Sequence, residues 1–141
     1  MRGKHFVNLL GKIVLIEETI NGLRSIPNPG SDDLKQAQAD LKDVTGIGIS
    51  TYSKLLYFAD LSFDGNPSLI LDERLFNVFR NKTYLQFDRL SGINRAASEK
   101  GRYLDYLEVM KAVSLEIGVT GEQLELFLFT FGNQLKETST L

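Results

Sequence analysis

The chain has 141 residues, 43% of them hydrophobic, which is enough for one compact domain with an apolar core and too few to expect two. Sixteen basic against eighteen acidic residues leave a formal net charge of -2, excluding the strongly cationic surface of a general polyanion binder. The absence of cysteine excludes disulfides, thiolate metal sites and an iron–sulfur cluster.

The longest apolar runs, such as Ile13 to Ile16 and Leu126 to Phe129, fall far short of the roughly 18 to 20 residues that cross a bilayer. The opening MRGKHF is basic, but Asn8, Gly11 and Lys12 interrupt the next segment and no small-residue cleavage site appears, so it reads poorly as a signal peptide. The expectation is a soluble, cytoplasmic protein without membrane contact.

From Lys4 to Arg24, Phe6, Leu9, Leu10, Ile13, Val14, Ile20 and Leu23 fall on one helical stripe. The prolines and glycine of SIPNPGSDD end that helix. Ser31 or Asp32 then offers a cap to a second helix that runs to about Asp40 or Lys42 with a thin apolar face. TGIG is a tight turn, after which Ser50 to Leu61 resumes helical spacing with Tyr52, Leu55, Leu56, Tyr57 and Phe58. SFDGNPS reads as a loop, with turn-forming Asp64-Gly65 and Asn66-Pro67 pairs, and SLIL as an extended lead-in to the next helix.

Asp72 can cap that helix, which carries Leu75, Phe76 and Phe79. The irregular KTYLQFDRLSGI leads to a long helix over about Asn94 to Gly118, using Ala97, Tyr103, Tyr106, Leu107, Met110 and Val113. Thr120 caps the last helix, with Gln123 in the capping-box position. From Leu126 to Phe131 this helix is apolar almost all round, so it is expected to be buried centrally or covered by a partner, either a second copy or another protein. The fold class is all-α, a single helical domain of about six helices with a helix-hairpin-helix over about residues 41–61.

Two glycines one residue apart at a helix–helix turn, Gly46 and Gly48, allow backbone conformations closed to other residues and leave no side chain above the amides. The amides opening the second helix then point outward with partial positive charge, where a phosphate can sit. Alone, such a pair is also an ordinary structural turn. Here LILDERLFNVF comes next, placing Asp72 24 residues after Gly48 at the end of an apolar triplet.

This pairing over about Leu41 to Phe79 resembles the helix-hairpin-helix DNA glycosylase superfamily, in particular proteins of the 8-oxoguanine glycosylase type of fold and the mismatch adenine glycosylases. The resemblance implies a DNA-binding protein of base excision repair, with Gly46, Ile47, Gly48, Ile49, Ser50 and Lys54 around a phosphate of double-stranded DNA. It implies Asp72 as the catalytic carboxylate. Two places after the second hairpin glycine, strand-cutting members carry lysine; this chain carries Ser50, as the GIGIST stretch shares with adenine glycosylases. A hydroxyl cannot form a Schiff base, so any activity is that of a monofunctional N-glycosylase without lyase chemistry. The family hairpin also holds a monovalent cation, whose matching main-chain carbonyls would be those of Lys42, Val44 and Ile47.

Each residue has a plainer reading beside it: Asp72 as a helix cap, Lys54 as a solvated lysine, and Glu73 and Arg74 as a charged helix start. His5, near the terminus, is a poor general base, and no HExxH, phosphate-binding-loop, GxSxG or EF-hand pattern is present. Only 45 residues precede Gly46, Thr45 replaces the usual proline, and the hairpin-to-aspartate spacing is about four residues longer than usual. Three readings are open: a DNA-binding domain that keeps base excision or has lost it, a non-catalytic interaction domain of the same fold, and a glycosylase completed by self-association.

Overall fold

Most of the apolar spacing that reads as helix in the sequence is helix in the computed structural model, which describes residues 12–41, 48–81, 84–94 and 102–134; Phe6, Leu9 and Leu10 of the first stripe lie outside them. Helix α1 spans Ile13–Arg24 and packs through Ile20 and Leu23 on α2, Ser31–Leu41, which buries Leu34, Ala37 and Leu41. The cap of α2 differs from the expected one. The first helical bond runs from Leu34 N–H to Gly30 C=O at 3.1 Å, and the Asp33 carboxylate accepts from Gly30 N–H at 2.9 Å. Gly30 therefore holds the cap position, and Ser31 and Asp32 lie inside the first turn.

Helix α3, Ile49–Phe58, buries Ile49, Tyr52, Ser53 and Leu56, an i, i+3, i+4, i+7 stripe. It stops three residues short of the expected Leu61. Asp60 turns to a positive φ of 57°, and the Arg24 guanidinium donates at 3.2 and 3.0 Å to the Ala59 carbonyl at the helix end.

The segment expected to be a loop contains a minimal antiparallel ladder. Strands β1, Ser62–Phe63, and β2, Asn66–Pro67, pair Ser62 with Pro67 and Phe63 with Asn66. Asp64 and Gly65 between them both have positive φ, 52° and 80°, the backbone of a type I′ hairpin turn. Two residues per strand are too few to show alternation in a sequence.

Helix α4, Glu73–Arg80, sends Leu75, Phe76, Val78 and Phe79 into the core. A 3-10 segment, Leu85–Leu90, kinks at Phe87 and buries Phe87 and Leu90. Helix α5 spans Tyr103–Ile117 and ends on Gly118 in the left-handed conformation. It starts later than the expected Asn94, which is non-helical; Ala97 lies outside the described residues. Helix α6, Gly121–Phe131, opens with the expected capping box: Gln123 N–H donates to Thr120 Oγ1 at 3.1 Å, and Thr120 N–H donates to the Gln123 side chain at 2.9 Å.

The central helix is α5, which buries Tyr103, Tyr106, Leu107, Val109, Met110, Val113 and Ser114. Helix α6 is not central. Only Leu124 and Leu128 are buried, while Leu126, Phe127 and Phe131 are 62%, 42% and 47% exposed. An all-round apolar run fails as a burial signal here because only one stripe of it reaches α4 and α5. Among the described residues, no helix is long and apolar enough to cross a membrane.

Candidate active site around Asp72

Residues 68–71 lead into α4 outside any helix or strand, so their backbone groups need other partners. Ser68 N–H donates to the Leu61 carbonyl at 2.9 Å, and side chains serve Leu69 to Leu71. Tyr103 Oη accepts from Leu69 N–H at 3.2 Å and donates to Leu69 C=O at 2.7 Å. Tyr106 Oη donates to Ile70 C=O at 2.8 Å, and Ser53 Oγ accepts from Leu71 N–H at 2.9 Å. Two helices thereby hold the segment that delivers Asp72.

Asp72 is the N-cap of α4, its backbone extended and its Oδ1 accepting from Leu75 N–H at 3.4 Å. That long cap bond leaves the half-buried carboxylate free to face other groups. Ser53, which fixes Leu71, also donates at 3.2 Å to the Ser50 carbonyl in the first turn of α3. Asp72 thus follows directly on a residue bonded to the helix whose N-terminus the GxG turn opens.

At that N-terminus Gly48 is the N-cap, with no side-chain cap bond and no acidic residue in the first turn. The first-turn amides have no helical acceptors, which makes them an anion-binding surface in principle. Gly48 has φ -105° and ψ -175°, extended backbone that any residue adopts. The expected need for glycine conformational freedom does not apply at this position; the missing side chain is what remains. Ile49 is buried, Ser50 half-buried and Lys54 exposed. Gly46, Ile47 and the cation carbonyls of Lys42, Val44 and Ile47 lie outside the described residues.

Ser53 is buried, so Ser53→Ala leaves Leu71 N–H without its partner. The expected loss is about 1–3 kcal/mol, the cost of an orphaned buried donor. Chemical denaturation measures it; a loss under about 0.5 kcal/mol would show that water replaces the hydroxyl.

A second carboxylate, on α6, is perturbed by burial and then by the charge of Asp72. Glu125 is half-buried, and burial, followed by the charges of Asp72 and Glu122, pushes its pKa up to about 7. The Tyr106 phenol is raised mainly by burial, then by Tyr103, Glu125 and Asp72. The Tyr57 phenol on α3 is raised first by the Glu122 charge, with Glu125 adding to it. Acidic and phenolic groups from four helices therefore act on one another electrostatically.

Glu125 immediately precedes the apolar run of α6, and no motif points to it. A raised folded-state pKa means that the folded chain binds the proton more tightly than the unfolded one. Stability is therefore fully present below the ordinary glutamate range and decreases as pH rises toward about 7. Thermal melts between pH 4.5 and 8 should show that decrease in the native chain and a smaller one in Glu125→Gln; identical slopes would refute the assignment.

An apolar cavity of about 380 Å³ is lined by Tyr84, Phe87, Val113, Leu124 and Phe127 among others, on the side of α6 opposite Glu125.

A protein-family model described as "Putative 8-oxoguanine DNA glycosylase OGG-like protein" matches residues 16–129, a span that contains the α3 N-terminus, Asp72 and Glu125. No curated protein and no solved structure matches the chain.

Proposed function

The chain belongs to the 8-oxoguanine DNA glycosylase OGG-like family, and from that membership we propose that it binds duplex DNA through the first turn of α3 and excises a flipped-out base hydrolytically with Asp72. The observation that carries this reading is the Ser53 link between Leu71 and the first turn of α3, which sets the Asp72 cap beside an uncapped helix N-terminus. A backbone phosphate on the amides of Ile49, Ser50 and Thr51, with Lys54 one turn further along, holds the strand next to the carboxylate.

Enzymes that act on a base in a duplex take it out of the stack. As the bond between sugar and base breaks, its electron pair leaves with the base and positive charge develops at the sugar carbon. The Asp72 carboxylate stabilises that charge, and water adds to the carbon, losing a proton as the departed base gains one. Ser50 supplies no amine, so the product is an abasic site in an uncut strand.

Gly48→Leu tests the binding. Its extended backbone accepts a β-carbon, so leucine places a side chain where the phosphate would approach, at the cost of a weaker N-cap that a thermal melt beside the binding assay measures. The native chain should bind duplex DNA with an affinity that falls as salt rises, and Gly48→Leu should bind more weakly. No binding at low salt sinks the reading. Duplexes carrying 8-oxoguanine, other oxidised or deaminated bases, or mismatches should yield alkali-labile abasic sites; none from any of them limits the function to binding.

A non-catalytic interaction role, or a glycosylase completed by a second copy, draws on the exposed Leu126, Phe127 and Phe131. Light scattering over a range of concentrations tests the second copy: a constant monomer mass excludes it.

A further inference from the structure

Large hydrophobic side chains left in solvent concentrate on one face. Leu85, Ile117, Val119, Phe127 and Phe131 gather round the apolar hollow between the 3-10 segment, the end of α5 and the first turns of α6. Ile117, Val119 and Phe127 line it, Leu85 stands between the lining residues Tyr84 and Gln86, and the Phe131 ring centroid lies 5.8 Å from that of Phe127. Buried Phe87, Val113 and Leu128 form the floor. Among the described residues Glu116 is the only charged one in the lining, and it is exposed.

At exposures of 72%, 57%, 36%, 42% and 47%, the five leave roughly 450 Å² of apolar surface open. One side of a standard protein–protein interface buries about 800 Å², of which about 450–500 Å² is apolar. The face therefore matches one half of such an interface in apolar area and in its lack of central charge. It is also separate from the Asp72 side of α6. Phe129, whose ring centroid lies 4.8 Å from the Arg74 guanidinium of α4, is two positions after Phe127 and so about 200° round the helix.

We propose that the occupant of this face is a second copy of the chain, related by a two-fold axis that passes beside Phe127. The α6 helices then run antiparallel, Phe127 meets its own copy, and Phe131 of each copy enters the hollow of the other. The choice of a second copy rests on self-complementarity: the face carries a projecting ring and a hollow one helical turn apart, as a two-fold interface requires. In that register Phe131 of one copy is level with Gln123 of the other, four positions to the other side of Phe127, and Gln123 lines the hollow. Such a dimer leaves the start of α4 uncovered and does not depend on the excision reading.

Sedimentation of the full chain from about 1 to about 500 µM tests the assignment, with the mass expected to rise from one chain to two and a Kd of about 50 µM or tighter. Phe131→Glu should weaken association about 100-fold or more, because it places a charge in an apolar hollow, and the milder Phe131→Ala about tenfold. Circular dichroism checks that each variant is folded. Phe127→Glu and Phe127→Lys should each be monomeric alone and associate when mixed, since the axis sets each residue against its own copy. Leu126, 62% exposed, lies two positions from both Leu124 and Leu128 and off the hollow, so Leu126→Glu should associate as the native chain does. A native chain of constant monomer mass overturns the inference in favour of a different protein on this face. A dimer lost in Leu126→Glu but kept in Phe127→Glu and Phe131→Glu forms through another surface and overturns it as well. Phe127→Glu and Phe127→Lys chains that stay apart on mixing overturn the two-fold arrangement.

Discussion

In a single-turnover assay, Asp72→Asn should excise a base about 100- to 1,000-fold more slowly than the native chain, a loss of about 3–4 kcal/mol in transition-state stabilisation. The size follows from the role of the carboxylate. A negative charge held at a developing cation in a site that excludes water is worth far more than the same charge in bulk solvent, and an amide keeps the shape and loses the charge. Asparagine is also as good an N-cap as aspartate, so the α4 cap from Leu75 N–H should survive and the melting temperature should hardly move. Asp72→Ala supplies the complementary measurement: it removes charge and cap together and should add about 1 kcal/mol of destabilisation. Excision by Asp72→Asn at the native rate would reduce Asp72 to its capping role. A large fall in stability with that variant would instead show that the charge is structural.

Asp72 can be found in the sequence, and Glu125 cannot, for related reasons. A cap is a local device: an aspartate after an apolar triplet, followed by a helical stripe of Leu75, Phe76 and Phe79, needs no tertiary information. The same holds for the Thr120–Gln123 box and for most of the α-helices, whose buried residues recur at three and four. Glu125 has meaning only through Asp72, more than fifty residues earlier, and its own neighbours suggest a buried apolar helix.

The same division explains where the fold departs from the pattern of its sequence. Position in the core is a tertiary property, and α5 takes the centre from the more apolar α6 because its tyrosines bring both ring area and a hydroxyl. The hairpin at Asp64-Gly65 announces its turn but not its two-residue strands. Gly48 is legible as a helix start and misleading about conformation, because an extended backbone does not require glycine.

Tyr103 is where this division has its largest measurable consequence for stability. Nothing in the sequence says that a phenol substitutes for a β-ladder, yet its hydroxyl bonds both backbone groups of Leu69 in a fully buried setting. Tyr103→Phe keeps the ring and removes the hydroxyl, leaving a buried N–H and a buried C=O without partners. At about 1–3 kcal/mol for each orphaned group, partly relieved by local movement, the expected loss is about 2–4 kcal/mol. For a chain of this length, each kcal/mol shifts the melting temperature by about 3–5 °C, so the drop should be on the order of 10 °C. Tyr106→Phe is the internal comparison. Its hydroxyl bonds one carbonyl, that of the half-buried Ile70, which water can reach, so the loss should stay near about 1 kcal/mol. Amide exchange localises the effect: Leu69 N–H should be protected in the native chain and in Tyr106→Phe, and exposed to exchange in Tyr103→Phe. Equal destabilisation by the two variants would refute side-chain support of this segment and, with it, the account of how Asp72 is held in place.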